Sequence, residues 1–214
     1  MNNNLTELIF ILDASGSMYS LTDETIGGFN SLIDTHKNED GECKVTTVLF
    51  NSDSRVLHDY VDVKNINKMT DNDYCTYGMT ALYDAVGKTI DNVGVRLANT
   101  PENERPGHII VVITTDGKEN SSKEYTHERI KEMIELQQNT YNWVFMFLGA
   151  NINAEEVGKS YGIKSGYSKT YTASTDGVDS LWCAMSATTS YLRSTSDDVA
   201  TVDCIVSKNL DGVV

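Results

Sequence analysis

The chain has 214 residues, of which 40% are hydrophobic and 22% charged. That is enough for one α/β domain with a sizeable core that needs neither disulfides nor metals to hold it together. Its 17 Lys and Arg face 31 Asp and Glu, a formal net charge of −14 at pH 7; this balance excludes the clustered basic footprint of a nucleic-acid binder and of an anionic-membrane binder, and permits cations, basic partners or simple solubility.

Met1-Asn2-Asn3-Asn4 carries no basic charge. The first apolar run, Leu8-Ile9-Phe10-Ile11-Leu12, is closed by Asp13. It is too short for a leader or a membrane span and predicts a strand buried on both faces. Ile26, Phe29, Leu32 and Ile33 then recur at helical spacing. Cys43 to Phe50 and Arg55 to Val63 read as two strands joined by Asn51-Ser52-Asp53-Ser54, a connection so short that the pair must be antiparallel.

Leu82, Val86, Ile90, Val93 and Leu97 predict a long helix, and His108 to Thr114 a second doubly buried strand. Ile130, Met133, Ile134 and Tyr141 frame another helix, followed by a strand over Trp143 to Leu148. Asn153 and Glu156 have capping-box spacing, with Gly162 as the stop. Val178, Leu181, Trp182, Met185, Thr189 and Leu192 form an amphipathic stripe.

Strands alternating with helices predict an α/β fold: a Rossmann-like, doubly wound, mostly parallel sheet with one antiparallel edge strand and helices on both faces. The domain is expected to occupy residues 1–194. Residues 195–214 are expected to be a C-terminal tail or an additional edge strand, with Val199 to Val206 as the strand.

Cys43, Cys75, Cys183 and Cys204 form no CxxC, which reads as free thiols in a reducing cytoplasm. His36, His58, His108 and His127 form no HxxxH, so neither residue type supplies a zinc-type cluster.

In a doubly wound sheet ligands bind outside the carboxyl ends of the strands. The loops there are Asp13-Ala14-Ser15-Gly16-Ser17-Met18, Tyr77-Gly78-Met79-Thr80-Ala81 and Thr114-Thr115-Asp116-Gly117-Lys118. They offer carboxylates and hydroxyls, hard oxygen donors suited to Mg²⁺ or Mn²⁺. The donors fall short of an octahedron, so water or an external ligand must complete it. The plain alternative is an ordinary turn whose hydroxyls cap helices; for Asp84, helix packing or a hydrogen bond is favoured over metal binding.

D-x-S-x-S, a Thr before a helix and T-D-G after a hydrophobic strand, in the strings FILDASGSM, GMTALYDAV and VVITTDGKEN, resemble the von Willebrand factor A domain and its metal-ion-dependent adhesion site. The resemblance places Asp13, Ser15, Ser17, Thr80 and Asp116 at the metal. It implies Ser15, Ser17 and Thr80 as direct ligands, with Asp13 and Asp116 holding the ion directly or through water. The ion would be Mg²⁺, with Mn²⁺ or Ca²⁺ as alternatives.

By the same resemblance the module is non-enzymatic and the open position takes a carboxylate from a partner protein. Met18, Tyr19, Tyr77 and Lys118 would contact that partner, and Tyr74 is a further candidate. Leu148 through Ile163 is similar to intracellular bacterial or phage members, whose partners include AAA-type ATPases. The acidic balance adds the expectation of a partner that is basic overall and presents one acidic residue.

Two other classes compete. A Mg²⁺-dependent phosphohydrolase of the haloacid-dehalogenase type needs a second Asp two residues after the first, where this chain has Ser15. A self-associating assembly component would place a tail carboxylate such as Asp211 on a neighbour's metal.

Overall fold

The apolar run at the N-terminus becomes the central strand of a six-stranded sheet. The computed structural model describes residues 1–195 and 199–213. Strand β1 (Asn2–Asp13) is followed by a 3₁₀ turn (Gly16–Leu21), α1 (Thr22–Lys37), β2 (Glu42–Phe50) and β3 (Ser54–Asp62). Then come α2 (Leu82–Ala98), β4 (Pro106–Thr115), α3 (His127–Tyr141), β5 (Val144–Ala150), α4 (Ala154–Ser160), β6 (Ser168–Tyr171), α5 (Thr175–Ser194) and α6 (Val199–Asp211).

The strand order is β3-β2-β1-β4-β5-β6. Every pairing is parallel except β2 with β3. The antiparallel edge strand is therefore present, as the short connection, three residues between the observed strands, requires. The order reverses at β1, which has β2 on one side and β4 on the other, so the crevice at its carboxyl end is the switch point where such sheets bind ligands. The register sets Leu12 against Thr114 and Asp13 against Phe50, which brings the ends of β1, β2 and β4 level.

Alternation along β1 assigns the layers. Phe10 meets Phe29 of α1 edge-on at 5.5 Å, and Phe29 meets Trp182 of α5 at 6.4 Å. Glu7, of opposite parity, receives a hydrogen bond from Arg96 of α2. Helices thus cover both faces, and core strands with no exposed residue, such as Leu8 to Leu12, are buried from both sides. Helices α1 and α5 approach closely because Gly28 leaves room for Trp182: a Cβ there would lie 2.0 Å from Trp182 Cδ1. Gly28→Ala is expected to destabilise the fold by about 1–3 kcal/mol through overpacking, read by urea denaturation; unchanged stability would contradict this close contact.

The expected strand at Val199 to Val206 is instead helix α6. The β-branched residues suggested a strand, but Val202, Val206 and Leu210 recur every four residues. Val206 and Leu210 are buried and Val202 packs against the core. Tertiary burial of that stripe outweighs local propensity. Residues 196–198 and 214 of the expected tail lie outside the described residues.

Strand β6 went unpredicted because Ser168–Tyr171 is only one short polar–apolar step long. The cap at Asn153 is present: its Oδ1 accepts from Glu156 N at 3.1 Å. Gly162 has φ +76°, the left-handed stop. Among the described residues no helix is long and apolar enough to cross a membrane.

Candidate metal centre

Strand β1 delivers Asp13 fully buried to the switch point. Its Oδ1 accepts from Ser15 N at 2.7 Å, which turns the chain away from the strand. Its Oδ2 accepts from the Thr115 hydroxyl at 2.5 Å, a contact that follows from the level ends of β1 and β4. The Tyr74 hydroxyl donates to the Asp13 carbonyl.

Ser15 stands at the N-cap position of the 3₁₀ turn, yet its side chain makes no capping hydrogen bond. Instead Ser15 Oγ lies 3.1 Å from Ser17 Oγ, and the Ser17 hydroxyl donates to Asp116 Oδ1 at 2.7 Å. Ala81, not Thr80, occupies the cap position of α2, again with no side-chain cap. The hydroxyls of Ser15 and Thr80 are therefore not explained by helix capping.

Thr80 is held at two points: its N–H donates to Asn120 Oδ1 at 2.9 Å, and its carbonyl accepts from Asn120 N at 3.0 Å. A Cβ on Gly117 would lie 3.2 Å from Thr80 Oγ1 and 3.9 Å from Ser17 Oγ. The glycine after Asp116 thus leaves open the small space that these two hydroxyls border. Ser15 and Asp116 are joined to this space through Ser17, and Asp13 through Thr115, whose hydroxyl also accepts from Gly117 N at 3.1 Å, so the five residues from three loops form one connected cluster.

The electrostatics of the cluster call for a cation. Burial pushes the Asp13 carboxyl up to about 6, against hydrogen bonds from Thr115 and Ser15 that lower it, and the Asp116 charge pushes it further. The same two carboxylates add to burial in raising the phenols of Tyr74 and Tyr171. All the donors are hard oxygens, and two carboxylates balance a divalent charge, so the residues fit a hard divalent ion.

The sequence profile of the von Willebrand factor type A domain matches residues 7–177, well over half of the chain. The chain belongs to the von Willebrand factor type A family. Solved structures agree on the fold. Proximal thread matrix protein 1 from the mussel byssus, with a zinc-occupied MIDAS motif, superposes with a TM-score of 0.57 at 18% identity, covering 86% of this chain and 46% of that one. Manganese-loaded TRAP protein of Plasmodium vivax gives 0.57 at 18% identity over 85% of this chain and 73% of that one. A von Willebrand factor type A protein from Catenulispora acidiphila gives 0.56 at 16% identity over 86% and 42%. This chain thus spans about half the length of the mussel protein. No curated protein matches the chain.

Two expected contact residues of this von Willebrand factor type A domain need correction. Met18 is 1% exposed: the 3₁₀ turn swings it inward beside Leu21, so it belongs to the core and cannot meet a partner. Tyr74 is also 1% exposed and spends its hydroxyl on the Asp13 carbonyl. Tyr19 and Tyr77 stand out at 78% and 64% exposure, and Lys118 is exposed beside Asp116.

Sequence reasoning missed the residues that hold the loops. Glu119 Oε2 accepts from Tyr83 N at 3.0 Å and Ser122 Oγ from Asp84 N at 3.1 Å, so the loop after β4 satisfies the first N–H groups of α2. Asp84 returns the support by accepting from the N–H groups of Lys123, Glu124 and Tyr125. Asp84 is thus a hydrogen-bonding residue. The available signal was the polar run Glu119-Asn120-Ser121-Ser122, one residue after T-D-G.

Proposed function

We propose that the chain is a non-enzymatic, metal-dependent protein-binding module. The observation that carries this reading is the connection of Asp13, Ser15, Ser17, Thr80 and Asp116 in one cluster at the switch point. Those five residues would hold the ion, with Mg²⁺ favoured by the oxygen donors and Mn²⁺ as its closest substitute. The mussel relative carries zinc in its MIDAS motif, so the lack of His and Cys spacing here does not exclude zinc. When bound, the ion supplies a Lewis-acidic position that accepts a carboxylate from outside the chain.

The chain's own contribution follows from its hydrogen bonds. Neutral hydroxyls contribute dipoles without charge, so the ion's positive charge is left incompletely offset and an incoming Asp or Glu is attracted. The clamp of Asn120 on Thr80 and of Thr115 on Asp13 fixes the donors before the partner arrives. Lys118, exposed beside Asp116, adds a positive charge at the rim.

A phosphohydrolase fits less well. The acid–base aspartate of that chemistry would stand two residues after Asp13, where the chain has Ser15, whose hydroxyl lies 3.1 Å from Ser17 Oγ.

The partner we propose is basic overall with one acidic residue, an AAA-type ATPase being one candidate. The setting proposed is cytoplasmic, in a bacterial or phage-type member, supported by four free thiols and by the segment Leu148 to Ile163. The test is retention of the host partner on the immobilised chain. Mg²⁺ should support it, and EDTA should abolish it; retention that survives EDTA would contradict the metal bridge.

A further inference from the structure

A cleft of about 430 Å³ opens directly beside the candidate metal centre. Its floor includes Ala14, the residue between Asp13 and Ser15, and its walls include Asn51, Asp53, Arg55, Asp73 and Tyr77. The walls are fixed. Tyr77 N donates to the Ala14 carbonyl at 3.0 Å, and Ala81 N donates to the Asn51 carbonyl at 2.7 Å. Arg55 ties β3 to the carbonyl of Asp73.

One group in this cleft lacks a partner. Asn51 is only 8% exposed. Its Oδ1 accepts from Asp53 N at 3.2 Å, which identifies the other side-chain atom as the amide nitrogen. That Nδ2 has no hydrogen-bond partner among the described residues and, unlike the buried unpaired oxygens of Glu7, Ser121 and Ser168, it stays open to the solvent in the cleft, where an acceptor from outside the chain can reach it. On the rim, Asp53 uses Oδ1 to accept from Ser54 N at 2.8 Å, which leaves its other carboxylate oxygen free to accept. Donor and acceptor across an apolar floor of Ala14, Leu49 and Phe50 match the C=O and N–H of a peptide unit better than a free ion.

We infer that this cleft binds the partner's main chain next to the acidic residue, so that recognition has two points: the carboxylate at the metal and an adjoining peptide unit between Asn51 Nδ2 and the Asp53 carboxylate. The occupant is a peptide unit of an extended segment, and the exposed ring of Tyr77 covers one side of it. This rests on the proposed function, because the carboxylate anchors the segment beside the cleft. A free small acid would engage the first point alone, and a carboxylate flanked by peptide units both.

Two probes separate the readings in Mg²⁺-saturated, ¹⁵N-labelled full chain: propionate, a carboxylate alone, and N-acetyl-aspartate N-methylamide, a carboxylate flanked by peptide units. Both should shift the amides of Ser15, Ser17 and Gly117. Only the second should shift the Asn51 side-chain amide and the backbone amides of Asp53 and Tyr77. Asn51→Asp keeps the acceptor and removes the donor. It should lower the ratio of peptide-probe to propionate affinity by about fivefold, the worth of one net hydrogen bond. Taking the ratio cancels the charge the variant introduces, and Tyr77→Ala, at an exposed position, should lower the ratio in the same direction. Shifts at the metal loops from both probes without shifts at Asn51, or an unchanged ratio in both variants, overturn this inference alone. No shift at the metal loops from either probe overturns the proposed function, and this inference with it.

Discussion

Asp13→Asn is expected to abolish the response of the chain to divalent cations while making the chain more stable in EDTA. Both effects come from one buried charge. Asp13 is fully buried and its carboxyl is raised from 3.8 to about 6, chiefly by burial. A group whose folded pKa lies above its unfolded value binds more protons when folded. Its favourable contribution is complete below about 3.8 and is lost as the pH rises through about 6. At neutral pH and without a cation, ionised Asp13 therefore costs about 3 kcal/mol.

Asparagine removes that cost and can still meet both neighbours, accepting from Ser15 N and donating to the Thr115 hydroxyl oxygen. In EDTA the melting temperature of the variant should exceed that of the native chain by about 5–10 °C at neutral pH, with the gap closing towards about pH 4. Saturating Mn²⁺ should raise the native chain by about 2–3 kcal/mol at a hundred times its Kd and leave the variant unmoved. Equal melting curves for both proteins across this pH range would show that Asp13 bears no such burden.

Asp84→Ala is expected to have the largest cost among substitutions near the site, though the residue touches no candidate ligand. Its carboxylate accepts three backbone N–H groups, from Lys123 at 2.9 Å, Glu124 at 2.9 Å and Tyr125 at 3.0 Å. Burial works to raise its pKa, but the three N–H groups outweigh it and hold the carboxyl below the usual range. Alanine would orphan all three donors, at a cost of about 3 kcal/mol or more in urea denaturation.

The loss should also reach the metal. The loop after β4 carries Asn120, which clamps Thr80, and Glu119, which holds the start of α2. Mn²⁺ affinity should therefore fall about tenfold in the folded variant. The pH dependence has the opposite sign to that of Asp13: this stabilisation is present above about 3.8 and fades only as the pH falls through the depressed folded value. A folded Asp84→Ala chain with native Mn²⁺ affinity would show that the loop is positioned by something else.

The fold was legible wherever one physical signal dominated. Doubly buried strands such as Leu8 to Leu12 are continuous apolar runs, and the short link after Phe50 admits only an antiparallel neighbour. The reading failed where two signals competed. Val199 to Val206 is rich in β-branched residues, yet the four-residue recurrence through Leu210 decides for a helix once α5 and β6 offer it a surface.

The ligand side of the site was legible because its donors must be specific residue types at the ends of specific strands. Its support was not. Thr115, Asn120, Glu119 and Asn51 act through contacts between loops distant in sequence, which no local spacing reveals. Met18 misled for a related reason: proximity to Ser17 in sequence says nothing of direction, and the 3₁₀ turn points it into the core.

The central claim is that five oxygen-bearing side chains from three loops form a single divalent-cation site. Its most direct test is Mn²⁺ binding followed by electron paramagnetic resonance on the native chain, Asp13→Asn, Asp116→Asn and Thr80→Ala. A single Mn²⁺ per native chain is expected, displaced by excess Mg²⁺. Affinity should be lost in both aspartate variants and weakened in Thr80→Ala. Absence of bound Mn²⁺ in the native chain, or binding that survives loss of both carboxylates, would contradict it.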